Sequence, residues 1–235
     1  MSGPPPAVRG ALAVGAVLAV LAALPAAAQD AAGLVTSHEA ARASGRLGTV
    51  LVRATTDPST PLGSERPVER VAVSLLPWSP GLEAGLEAIK AGSRDSIGRF
   101  LRTSGEIQAA RRSWEVEVLT AGGGGLILGA DTDSMGRALL GPVPAGEWIL
   151  LAWRAEAPVD AKVVPPRVRD GGGFVGNAAS VAHRAVSYWK RRIVVEGGEE
   201  LAVSLGDRGV WLTAVETERR PLADPPIGAN PPLRR

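Results

Sequence analysis

The sequence predicts a mainly β protein, an antiparallel β-sandwich that carries one α-helical insertion. Apolar and polar side chains alternate with a period of two in several short runs, and Gly- and Pro-rich turns separate those runs. Between about residues 80 and 112 the period lengthens to that of a helix. With 45% hydrophobic and 21% charged residues in a chain of 235, the composition is that of a globular protein with its own core.

Residues 1–28 stand apart from that fold. Arg9 gives a small positive start, residues 11–24 are an apolar run, Pro25 breaks it, and Ala26, Ala27 and Ala28 precede Gln29. This is the form of a secretory signal peptide cleaved after Ala28. The run is short for a bilayer span, and retention as an N-terminal anchor is the alternative. No later stretch is long and apolar enough to cross a membrane, so the mature chain is expected in the periplasm or outside a bacterial cell. Residues 29–47 form an N-terminal segment, with a short helix over 37–43 capped by Ser37. His38 lacks a second histidine at the spacing of a zinc helix and is expected to be a solvated surface residue.

The sandwich is expected over residues 48–215. Val50, Val52 and Ala54 alternate with Thr49, Leu51 and Arg53 in a first strand, and Val71, Val73 and Leu75 line a second. Pro58, Pro61, Gly63 and Pro67 make the connection a loop. Ser79-Pro80 is a helix start, a capping side chain followed by a residue suited to the first turn. Leu82, Leu86 and Ile89 fall on one stripe, Gly92-Ser93 interrupts, and Ile97, Phe100 and Leu101 resume it. The expectation is an amphipathic helical pair or a broken helix, roughly Leu82 to Arg112, with its apolar stripe in the core.

Period two returns at Trp114, Val116, Val118 and Thr120, with Glu115 and Glu117 on the solvent face of a strand. The glycines 122–125 lack the Gly-Lys-Ser/Thr ending of a phosphate loop and read as a turn. A strand starts at Leu126–Leu128, and two more, 138–143 and 147–153, flank Pro144-Ala145-Gly146. The second of these is apolar on both faces, so the helical insertion is expected to cover its outer side. Residues 156–185 lose regular patterning around Pro158, Pro165, Pro166 and glycines 171–173, and read as a long basic loop. Strands follow through Trp189, Ile193 and Val195, through Leu201, Val203 and Leu205 after the Gly197-Gly198 turn, and over 210–215. Residues 216–235, rich in proline, read as a disordered tail.

One segment is more specific. Thr132-Asp133-Ser134-Met135-Gly136, an apolar strand, then Val143-Pro144-Ala145-Gly146-Glu147-Trp148 and another apolar strand resemble the signature of carboxypeptidase regulatory-like domains. Gly48-Thr49-Val50, Arg192 to Gly198 and Leu201 to Leu205 look like that family's opening and closing strands. The resemblance implies a transthyretin-like, immunoglobulin-type sandwich serving as a non-catalytic accessory or binding module of exported proteins. In physical terms Asp133 can bond amides within its own turn, and Gly136 can take a positive φ to close it.

Composition bounds the chemistry. Cysteine is absent, which excludes disulfides, zinc–thiolate sites, a cysteine nucleophile and a cysteine-linked lipid. A formal net charge of +2 asks for no nucleic-acid partner, and two histidines, His38 and His183, are too few for a multi-histidine metal site. No cofactor is expected. Asp131 and Asp133, two hard oxygen ligands one residue apart, are weak calcium candidates beside their reading as turn residues. The binding candidates are Arg167, Arg169, Arg184, Tyr188, Trp189, Arg191, Arg192 and Trp153. The basic residues also include Lys162 and Lys190 and are concentrated in a chain that is otherwise near neutral. Arginine suits bidentate contacts to carboxylate or phosphate, and the neighbouring aromatics can stack on a sugar. The partner would be an envelope glycan, an anionic lipid headgroup or another exported protein. The opposing reading pairs these arginines with acids elsewhere in the chain, such as Glu199 and Glu200. Trp114, Trp148 and Trp211 lie in apolar strands and are expected in the core, leaving Trp153 and Trp189 beside the loop. The rival class is a periplasmic hydrolase in which His183 works with a loop carboxylate or a serine such as Ser180. No Gly-x-Ser-x-Gly elbow accompanies it.

Overall fold

A computed structural model of the chain describes residues 26–58, 63–164, 167–168, 174–175 and 179–221. The apolar run and Pro25 of the expected signal segment, Arg169, and residues 222–235 of the expected tail lie outside the described residues.

The elements, in chain order, are α1 (Ala26–Ala43), β1 (Leu47–Thr56), β2 (Arg66–Pro67), β3 (Ala72–Pro77), α2 (Pro80–Gly92), α3 (Ile97–Thr120), β4 (Leu128–Asp131), β5 (Arg137–Pro144), β6 (Gly146–Ala155), β7 (Val159–Val164), β8 (Arg167–Val168), β9 (Phe174–Val175), β10 (Ala179–Val195), β11 (Glu200–Leu205) and β12 (Leu212–Pro221). They build a β-sandwich with a helical insertion. One sheet has four strands in the order β11-β1-β2, with β5 also paired to β1. The other has six in the order β12-β10-β6-β3-β4, with β7 paired to β10. All pairings are antiparallel except β1 with β11, which run parallel from Thr49↔Glu200 to Ala54↔Leu205.

Alternation along β1 sends Val50, Val52 and Ala54 into the interior, against Ala138 and Leu140 of β5 and Val203 and Leu205 of β11. From the other sheet Val73, Leu75, Trp148, Leu150 and Trp189 meet them. The opposite face of the six-stranded sheet carries Leu76, Ile149, Leu151 and Tyr188, and α2 and α3 lie over it. Residues 148–152 are therefore all buried, as an apolar strand covered on both sides must be. Ser79 caps α2 by accepting from the Leu82 amide at 3.0 Å, and Leu82 and Leu86 face inward.

Several expectations are corrected. Residues 114–120 continue α3 instead of forming a strand. Their alternation W-E-V-E-V also fits a helix: Ile107, Trp114 and Val118 lie on one helical stripe and are buried, while Val116 is 60% exposed. Glu115 pairs with Arg111 one turn back instead of facing solvent from a sheet. The buried face of α3 begins at Thr103, so Ile97 and Leu101 stay at the surface, and Arg94 stacks on Phe100. Leu126 sits in a short 3-10 turn, and the next strand starts two residues later.

The expected short helix at 37–43 is the end of α1, so Ser37 lies within it and caps nothing. That length docks Ala31, Val35, His38 and Ala41 as one stripe. His38 is 3% exposed, not solvated, and its ring meets Trp148 edge-on at 4.7 Å. The long basic loop is in large part a β-ribbon: β7 pairs with the start of β10, and β8 pairs with β9 beyond it. Residues Glu216 to Pro221 of the expected tail extend β12 along β10, down to Ala179↔Pro221. β10 is 17 residues long, and its partner strands supply the ladder bonds that keep its first half extended.

Candidate functional site

The signature turn forms as its residues dictate. Asp133 Oδ1 accepts from the amides of Met135 at 2.8 Å and Arg137 at 2.9 Å. The Arg137 amide, with that of Met135, holds the Asp133 carboxyl below its ordinary value. Gly136 has φ +69°, and a Cβ there would sit 2.3 Å from the Ala54 carbonyl oxygen. Asp133 is thus engaged by its own turn, and Asp131 lies apart from it at the end of β4. Among the described residues no group of three metal-ligating side chains comes together.

The expected binding residues do not share one face. Successive positions on β10 point to opposite sides of the sheet. Tyr188, Lys190 and Arg192 face the helical layer, whereas Trp189 and Arg191 face the other way. Tyr188 is fully buried and its hydroxyl lies 2.7 Å from Ser104 Oγ. Ser104 has one proton, which it gives to Glu216 Oε1 at 2.8 Å, so Tyr188 donates to Ser104. Burial pushes the Tyr188 phenol above its ordinary value. Trp189 is buried in the sandwich, its indole donating to the Gly206 carbonyl at 2.9 Å.

The cations find acids that the sequence separates from them. Arg184 donates from Nε and Nη2 to Glu216 Oε2, at 2.9 and 2.7 Å. Lys190, with its side chain 8% exposed, pairs with both Glu83 and Glu87 of α2. Arg192 pairs with Glu147 at 2.9 Å and lies 3.7 Å over the Trp78 ring. The acids are Glu83 and Glu87 of α2 and, on the strands that flank β10, Glu147 of β6 and Glu216 of β12, rather than Glu199 and Glu200. The indole hydrogen bond from Trp78, aided by Lys190 and Arg192 against the effect of burial, holds Glu83 below its ordinary value of 4.5. The Lys190 hydrogen bond does the same for Glu87. Arg167 belongs to β8, in the outer part of the ribbon.

His183 is exposed, and its Nδ1 lies 3.1 Å from Thr217 Oγ1. A hydroxyl of threonine stands where the hydrolase alternative called for a serine or a carboxylate.

Trp153 occupies a different setting. It ends the apolar run of β6, opposite Ala72 of β3, which in turn lies opposite Asp131 of β4. On the same face the next row is Ser74 and Gly129. These small residues leave a cleft of about 400 Å³ between the edge of the sheet and α3. Arg111 stacks 5.1 Å over the Trp153 ring, and its pairing with Glu115 fixes that position. An indole, a guanidinium, two carboxylates and the Ser74 hydroxyl therefore meet at an open edge. The sequence reading singled out Trp153 but missed Arg111, Glu115 and Ser74, whose approach depends on α3 being a helix as far as Thr120.

No protein-family model matches the chain, and no curated protein matches it. A provisionally assigned carbohydrate-binding protein of Pseudomonas aeruginosa aligns over 72% of this chain and 95% of its own, with 14% identity and a TM-score of 0.37. The minor pilin of Streptococcus agalactiae aligns over 76% of this chain and 99% of its own, with 12% identity and a TM-score of 0.26.

Proposed function

We propose that the chain is a non-catalytic binding module of the bacterial envelope that takes a glycan in the cleft beside Trp153. The observation that carries this reading is the pairing of an aromatic ring with converging polar groups over a floor of small residues. A sugar presents an apolar C–H face and a rim of hydroxyls. The indole suits the first, and Arg111, Glu115, Asp131 and Ser74 suit the second. Export rests on the signal-like residues 1–28, and no described helix is long and apolar enough to cross a membrane. The turn chemistry of Asp133, Gly136 and Gly146 supports kinship with the carboxypeptidase regulatory-like domains. Arg167 and Arg169 are candidate contacts for anionic substituents of the same partner. Titration of soluble envelope glycan fragments into the full chain, followed by tryptophan emission, should give a saturable change that Trp153→Ala abolishes. The reading fails if no fragment alters the emission, or if Trp153→Ala responds like the parent.

A further inference from the structure

We propose that Arg53 and Arg137 form a phosphate-binding site on the outer face of the four-stranded sheet. The site stands independently of the Trp153 cleft, which belongs to the other sheet. Register places Arg53 of β1 directly opposite Arg137 of β5 on one side and Ser204 of β11 on the other. All three are exposed and point the same way, so two guanidinium groups stand side by side on adjacent strands. Like charges directly opposite one another destabilise a sheet.

Among the described residues that repulsion is relieved only in part. Arg53 makes no ion pair among the described residues, and Arg137 reaches Asp133 only at 3.8 Å. The two turn amides are held by Asp133 Oδ1, and only its Oδ2 is turned toward the Arg137 guanidinium. The groove around the pair has a volume of about 560 Å³ and also presents the hydroxyls of Thr55 and Ser204. Its carboxylates are Asp57, which is tied to Arg208 at 3.1 Å, and Glu65.

The donor set selects the anion. Two planar forks and two hydroxyls offer more N–H and O–H groups, in more directions, than the two coplanar oxygens of a carboxylate can accept. A tetrahedral phosphate with three or four oxygens can take them all. Met135 and Leu139, 61% and 62% exposed, flank the arginines. The same chemistry therefore fits a free phosphate or the phosphomonoester headgroup of phosphatidic acid.

The experiment uses the full chain and two probes. Inorganic phosphate is titrated at constant ionic strength, with chloride as the control, while the melting temperature and heat of binding are followed. Co-sedimentation with phosphatidylcholine vesicles that contain phosphatidic acid is compared with that on pure phosphatidylcholine vesicles. A response to either probe that falls at least tenfold in affinity in Arg53→Gln and in Arg137→Gln supports the site, as does tighter binding by Glu65→Gln. Dependence on both arginines with vesicles alone assigns the headgroup, and with inorganic phosphate assigns the free ion. Without ligand, each Arg→Gln variant should melt no lower than the parent, because it removes repulsion. The proposal is overturned if neither probe gives a response that depends on Arg53 and Arg137, or if the unliganded variants melt well below the parent.

Discussion

Thr132 carries the β3–β4 pairing past its last register pair, Ala72↔Asp131, into the segment before β3. Its hydroxyl donates to the Val68 carbonyl at 2.8 Å and accepts from the Val71 amide at 2.9 Å, and the residue is buried. Thr132→Val keeps the shape and removes both bonds, leaving an amide and a carbonyl without partners away from water. The expected cost is about 2–3 kcal/mol, measured by denaturant unfolding, whereas a loss below about 0.5 kcal/mol would show that those groups find water. Gly136 is constrained differently, by conformation and by space together. At φ +69° an L-residue is strained, and the Ala54 oxygen 2.3 Å from the new Cβ is itself held by the Val68 amide. Gly136→Ala should destabilise by more than the ~1 kcal/mol of a simple left-handed penalty, and Gly136→Asn should not rescue it, since Asn relieves only the conformational part.

At the scale of elements, α2 buries Leu82 and Leu86 in the core and is fastened to β10 by charge. Both acids of that contact have lowered values in the fold. A carboxylate whose folded value lies below its unfolded one contributes stability that is fully present above the unfolded value of 4.5 and is lost as pH falls through the folded value. Melting temperature should therefore hold from neutrality down to about pH 5 and drop below it, and the double variant Glu83→Gln, Glu87→Gln should show a shallower acid limb. At neutral pH the double variant should lose about 1–3 kcal/mol, because Lys190 is left almost buried without a counter-charge. An acid limb equally steep in both proteins would place the loss elsewhere. None of this contact was legible in the sequence, where Glu83 and Lys190 stand far apart and the basic run reads as an open surface. The strands of the sandwich were legible, because one buried face imposes a period of two that survives any tertiary detail. The ends of α3 and β10 were not. Trp114 to Thr120 satisfies both periods, and what decides for a helix is the core it meets. The first half of β10 is held by β7 and β12, whose pairing no local pattern records. The candidate cleft was legible to the same extent: Trp153 as an aromatic ending an apolar strand, but not the residues that α3 brings over it.

For the molecule as a whole, α1 is the element that ties the expected export signal to the folded body. Its stripe of Ala31, Val35, His38 and Ala41 is buried, and Val35 approaches so closely that a Cβ on Gly123 would lie 2.7 Å from it. Arg42 donates to the Gly125 carbonyl at 2.7 Å from the same helix. Cleavage after Ala28 would leave every residue of that stripe in place, with the new terminus two residues before the first of them. A chain beginning at Gln29 should therefore fold and melt within a degree or two of the full chain. A chain beginning at Ser44 loses the cover over Trp148 and several buried side chains, worth roughly 3–5 kcal/mol in total. At about 2–4 °C per kcal/mol for a protein of this size, it should melt some 10 °C lower. If both chains melted with the parent, α1 would be a passive extension. If both melted equally low, residues before Gln29 would belong to the fold, and removal of a leader at Ala28 would be incompatible with a stable mature protein.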